Sequence, residues 1–106
     1  MASFSNNAVK QLYDALDKGD FKRGLKLCKK HKRPTPEMRA LEAHALERTG
    51  KREDALKISQ SLLEGLSRTA VPEWIVCSHL AMVLRNLGRD DLVTQVFLVA
   101  SSKASP

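Results

Sequence analysis

The chain has 106 residues, 42% of them hydrophobic and 28% charged, which is one domain's length at a globular composition, too short for a two-domain enzyme and unlike a disordered or collagenous sequence. No apolar run reaches the roughly 18–20 residues of a bilayer-spanning helix, and Met1 to Asn7 has neither a charged leader nor a hydrophobic stretch, so secretion and membrane insertion are not expected. The formal charge of +6 is concentrated: residues 1–33 hold nine Lys or Arg against three Asp, whereas 34–71 balance six against six and 72–106 three against three.

Glycine and proline punctuate the chain. Gly19-Asp20, Gly50-Lys51 and Gly88-Arg89 each close one apolar-periodic stretch and open another, while Pro34, Pro36 and Pro72 stand where stretches begin. The spacing predicts six helices, over about 7–18, 20–33, 36–49, 52–65, 72–87 and 90–103, and the alternation of β-branched residues that marks strands is missing. On the second of these, Phe21, Gly24, Leu25 and Cys28 share one face, and Lys22, Lys26, Lys29, Lys30 and Arg33 occupy the opposite arc. The fifth, from Trp74 to Leu87, is apolar nearly all round and is expected to lie deepest. The sixth carries Leu92, Val93, Val96, Phe97, Leu98 and Val99 and runs into Ser101 to Pro106 without a polar capping helix.

The turn glycines recur at intervals of 31 and 38 residues, which bracket the 34-residue period of tetratricopeptide helix hairpins. Seven residues before each glycine, where a small residue suits the close packing of a hairpin, stand Leu12, Ala43 and Ala81; five after it stand Gly24, Ala55 and Val93. The fold expected is therefore all-α, a right-handed α-solenoid of about three tetratricopeptide-like hairpins forming one domain over 1–106, with repeats near 7–33, 36–65 and 72–103. Three repeats are the usual minimum for a stable stack. The uncovered last helix suggests a segment of a longer array, or a face covered by a partner or a second copy.

The basic arc is the main functional signal. Like charges one and two turns apart repel by a few tenths of a kcal/mol, so a dense stripe of one sign suits an anionic partner such as ribosomal RNA, an acidic protein or an anionic membrane. A merely solvated face is the plainer reading, because aromatics for base stacking are not interleaved. Cys28 with His31 and Cys77 with His79 supply four metal-ligand types, but on separate amphipathic helices they read as core cysteines and boundary histidines in a reducing compartment. His44 beside Glu42 or Glu47 reads as helix-surface neighbours rather than an acid/base pair. The five glycines are isolated, so no phosphate-cradling loop is present and no cofactor is expected. The inner-helix positions Val9, Tyr13, Leu41, Ile75 and His79 lack the cations of a clamp for acidic peptide termini.

Leu12-Tyr13-Asp14-Ala15-Leu16-Asp17, then Phe21-Lys22 and Leu25-Lys26-Leu27, then Leu46-Glu47-Arg48-Thr49-Gly50-Lys51 followed by Glu53-Asp54-Ala55-Leu56, together resemble the opening repeats of the auxiliary subunit of the N-terminal acetyltransferase B (NatB) complex. The resemblance extends over about Leu12 to Phe97. It implies a non-catalytic, cytoplasmic helical scaffold that wraps a separate catalytic subunit and helps it associate with ribosomes. The catalytic subunit, not this family, uses acetyl-coenzyme A, on nascent chains beginning Met-Asp, Met-Glu, Met-Asn or Met-Gln. Neither a membrane nor a small-molecule substrate is implied. An unrelated tetratricopeptide adaptor for a peptide, or an RNA- or ribosome-binding repeat using the basic stripe, are the alternatives.

Overall fold

The computed structural model describes residues 2–68 and 74–104. Among them lie six helices and no strand: α1 (Ala2–Asp17), α2 (Phe21–Lys30), α3 (Pro36–Arg48), α4 (Arg52–Arg68), α5 (Trp74–Asn86) and α6 (Asp90–Ala104). Consecutive helices pair as α1/α2, α3/α4 and α5/α6, and α3 and α5 carry the contacts from one pair to the next. The result is an all-α, tetratricopeptide-like solenoid. Pro72, expected at the start of the fifth helix, and most of the link before it lie outside the described residues.

The three hairpin turns share one construction. Gly19, Gly50 and Gly88 have φ of +76°, +88° and +76°, the left-handed region where a side chain would strain the backbone. The next residue's N–H then reaches back to the helix it has left: Asp20 to the Ala15 carbonyl at 2.8 Å, Lys51 to Leu46 at 2.8 Å and Arg89 to Leu84 at 2.9 Å. Asp20 also caps α2, its Oδ1 accepting the Arg23 N–H at 3.2 Å, and Thr35 caps α3 through the Met38 N–H at 3.2 Å with Pro36 in the first turn.

Helix α2 ends three residues earlier than its periodicity suggests. Pro34 cannot donate to the Lys30 carbonyl, its ring would crowd that carbonyl in a helix, and it pushes Arg33 out of helical geometry. The chain leaves the helix at His31 in extended conformation. Arg33 is therefore not part of the helical basic arc.

Within each hairpin the two helices meet at the positions flanking the turn. In the second, Ala43 and Ala55 face one another, both fully buried. The first departs from the small-residue pattern with Leu12, but its opposite number is Gly24: a Cβ built there would stand 3.1 Å from Leu16 Cδ2 and 3.4 Å from Leu12 Cδ1. The missing side chain on α2 makes room for the large ones on α1. The third hairpin meets through Ala81 and Val93, both buried.

The deepest helix is α3, not α5. It packs on α1, α2, α4 and α5 and buries Met38, Ala40, Leu41, Ala43, Ala45 and Leu46. Helix α5 buries Val76, Leu80, Val83 and Leu84 but leaves Trp74, Ile75 and Met82 exposed. All-round hydrophobicity reported that α5 has apolar residues on every side, not that every side is covered by the described residues. Leu41, expected on the inner surface, is buried with Leu12, Leu16, Cys28 and Met38.

Gly24→Val is expected to cost about 1–3 kcal/mol by overpacking against Leu16 and Leu12. Leu12→Ala alone, which opens a cavity, is expected to cost about 2–5 kcal/mol. Urea denaturation of the double variant should show a loss smaller than the sum, because the two changes share one space.

Candidate functional site

Three surfaces of the stack carry side chains that packing alone does not require. The first is the outer face of α2. Its apolar residues hold it to α1 and α3, with Gly24 and Cys28 buried, and this turns Lys22, Lys26, Lys29 and Lys30 to solvent. Asp14 takes Lys18 at 3.2 Å and Arg23 at 4.0 Å, and among the described residues none of the four α2 lysines forms an ion pair. Arg33 is also exposed, in the bend between α2 and α3. Burial raises the proton affinity of Glu42 on α3, against the opposing pull of Arg39 and, more weakly, of Lys29.

The second is a polar cluster joining all three hairpins. The Tyr13 hydroxyl on α1 donates to Glu37 Oε2 on α3 at 2.6 Å and lies 2.9 Å from His79 Nε2 on α5. With the phenol proton given to Glu37, the second bond requires the imidazole to donate from Nε2. The rings of Tyr13 and His79 are tilted, 5.8 Å apart. Burial, then the hydrogen bond and charge of Glu37, raise the Tyr13 pKa well above its ordinary range, so the phenol stays a donor. Burial lowers His79 against the opposing pull of Glu37. Spacing places Tyr13 and His79 on the inner helices; Glu37, which no motif singles out, completes the cluster through the Tyr13 hydroxyl.

His44 sits nearby on α3, its ring edge-on to Phe21 at 6.0 Å and Arg48 over the same phenyl ring at 6.0 Å. It is half-buried rather than an ordinary surface neighbour, its Nδ1 is buried without a hydrogen-bond partner, and burial lowers its pKa. The two cysteines are free and buried; burial, with the Glu42 charge, pushes the Cys28 thiol up to about 12, which keeps it an unreactive core group. His31 and His79 do not gather with them: no group of three or more metal-ligating side chains forms among the described residues.

The third surface is the end of the stack. Met82 of α5 and Phe97 of α6 flank an open cleft of about 460 Å³, completed by Ser78, Ala81, Arg85 and Asn86. Leu98, the next residue on α6, is 63% exposed. A second groove of about 590 Å³ runs between α4 and α6, with Leu63, Leu92 and Val99 beneath a polar rim of Lys57, Gln60, Ser61, Glu64 and Gln95. Each is shallow, with apolar side chains at its base and charged or amide groups at its edge.

Residues 6–106 match a family model described as Psidin, N-terminal TPR repeats region, TPR denoting the tetratricopeptide repeat. No curated protein and no solved structure matches the chain.

Tyr13→Phe removes the hydroxyl that Glu37 and His79 share and is expected to cost about 1–3 kcal/mol in urea denaturation, as two part-buried polar groups lose a partner. The histidines set a pH dependence of determinate sign. His44 and His79 are held below the ordinary value of 6.5 in the folded chain, so the unfolded chain binds more protons. Their contribution is complete above 6.5 and lost as pH falls through that value toward the folded pKa values. Denaturation midpoints should decline from about pH 7.5 to about pH 5.5, and less steeply for a chain carrying His44→Gln and His79→Gln.

Proposed function

The chain belongs to the family of Psidin N-terminal tetratricopeptide repeats, and from that premise we propose that it is a non-catalytic scaffold, the N-terminal repeat segment of the auxiliary subunit of the NatB complex. The family match across residues 6–106 carries the scaffold part of this reading: tetratricopeptide hairpins present stacked helical surfaces to other proteins. The finer assignment is supported by the opening motifs, which fall on structurally demanding positions. Leu12 and Leu16 are the residues that Gly24 accommodates, Tyr13 bonds to Glu37 and His79, and Thr49-Gly50-Lys51 forms the middle turn.

In this reading the acetyl transfer from acetyl-coenzyme A is performed by a separate subunit, which the scaffold holds and orients in the cytoplasm as part of a longer array. Affinity purification of the protein should retrieve an acetyltransferase that modifies peptides beginning Met-Asp or Met-Glu. Retrieval of unrelated partners only would favour a general tetratricopeptide adaptor and sink the assignment.

The arrangement of Lys22, Lys26, Lys29 and Lys30 supports a second, compatible role in contacting ribosomal RNA. Four cations on one helix face, with the neighbouring Asp14 occupied by Lys18 and Arg23, form a compact positive field away from the end cleft. Binding through this face should weaken with salt. Reversing Lys22, Lys26 and Lys29 to Glu should reduce the slope of log affinity against log salt by roughly two to three, measured by ribosome co-sedimentation over a salt series. An unchanged slope would mean that these lysines are solvated surface.

A further inference from the structure

Phosphoryl transfer to a side chain requires its hydroxyl to be brought in line with the phosphorus, which backbone outside a helix permits and a packed helix resists. Among the described residues only two hydroxyl side chains lie outside a helix, those of Thr35 and Thr49. Thr49 shares its proton between the Ala45 and Leu46 carbonyls, at 3.0 and 3.1 Å. Thr35 ends the link from α2 to α3, partly exposed, with φ −72° and ψ 162° in the extended region. Its Oγ1 accepts the Met38 N–H at 3.2 Å, a bond that uses a lone pair and leaves the hydroxyl proton to be given up.

The residues on either side suit one class of enzyme. Pro36 follows the hydroxyl, and having no N–H it fits a cleft that offers that position no acceptor, where any other residue would leave a donor unpaired. Lys29, Lys30, Lys32 and Arg33 precede it; all four are exposed, and none forms an ion pair among the described residues. Arg39, one turn into α3, lines one cavity with Pro34 and Pro36, so a cation also lies on the helix side of Thr35. The carboxylate nearest in sequence, Glu37, is engaged by the Tyr13 hydroxyl at 2.6 Å. A phosphate at Thr35 therefore meets cations before and after it, and the first turn of α3 favours negative charge at the same place. Ser105-Pro106, the other hydroxyl and proline pair of the sequence, lies outside the described residues.

We propose that Thr35 is a phosphorylation site for a proline-directed protein kinase, and that its phosphate turns down the affinity of the lysine face for RNA. Oγ1 attacks the γ-phosphorus of a nucleoside triphosphate, the bond from that phosphorus to the bridging oxygen breaks, the nucleoside diphosphate leaves, and the hydroxyl proton passes to the kinase's carboxylate base. The product carries a charge of about −1.5 to −2 near pH 7, against the four cations of residues 29–34. The first half of the proposal concerns the chain alone. The second rests on the RNA-contact reading of Lys22, Lys26, Lys29 and Lys30.

The test incubates the whole chain with ATP and a proline-directed kinase and locates the phosphate by peptide mass mapping, which separates Thr35 from Ser105. Thr35 should approach one phosphate per chain. Pro36→Ala should slow its modification by about tenfold or more, and Thr35→Asn, which keeps the helix cap, should take no phosphate there. A synthetic peptide of residues 29–39 is the reference for access. Modification of the peptide but not of the folded chain would mean that the fold withholds Thr35 and would overturn the proposal; no modification of either, or a rate indifferent to Pro36→Ala, would do the same. Ribosome co-sedimentation over a salt series then compares the unmodified and phosphorylated chains. Phosphorylation should reduce the slope of log affinity against log salt by about one to two, and phosphatase treatment should restore it. Equal slopes overturn the regulatory half. If the unmodified chain binds without salt dependence, or does not bind, the RNA reading fails and takes the regulatory half with it, while the mapped phosphate still decides the acceptor.

Discussion

Two helices joined by so short a turn must lie close together immediately beyond it, and this close approach is the constraint from which the rest of the structure follows. Left-handed glycines at 19, 50 and 88 reverse the chain, and the facing side chains must then fit a narrow gap. Ala43 with Ala55 solves it by smallness on both sides, and Leu12 with Gly24 by giving all the volume to one side. Once each hairpin is closed, its remaining apolar side chains fall on one flank. Only a neighbouring hairpin can bury them, which makes α3 the centre of the molecule.

Stacking of this kind separates the chemistry of the surfaces. The second helix of the first hairpin packs on α1 and α3 through its apolar side only, so its outer polar arc is free to collect charge without burying it. The first helices line up and bring Tyr13, Glu37 and His79 together although they are distant in sequence. The terminal hairpin keeps the apolar flank that its predecessors cover. An exposed apolar flank, polar adhesion between hairpins and charge thus occupy different faces.

Helix number, the turn glycines and the pairing scheme were all legible in the sequence, because the backbone geometry of the turn admits few residues and the repeats test one another. The Leu12 departure looked like a flaw in isolation, and only the two positions read as a pair show it to be compensated. The extent of α2 is not legible in the lysine periodicity, which continues to Arg33 while the helix stops at Lys30; the steric demand of Pro34 outweighs a charge pattern that has no structural energy of its own. The depth of α5 is not legible in its composition for a different reason. Hydrophobicity measures what a side chain prefers, and Ile75 and Met82 are exposed in the described stack all the same. Glu37 carries no motif, and the half-buried setting of His44 against Phe21 could not be read from spacing, since the surroundings of both come from residues on other helices.

A row of repeats that touch only their neighbours behaves like a string of beads, in which disorder can begin at one end and travel. The Tyr13–His79 bond spans two repeats, from the first bead to the third, while no backbone contact between α1 and α5 accompanies it. It therefore adds a second-neighbour coupling to an otherwise one-dimensional lattice. Peeling away the last hairpin breaks a tie to the first, so loss of order at one end is felt at the other, and melting is driven away from stepwise fraying toward a single collective event.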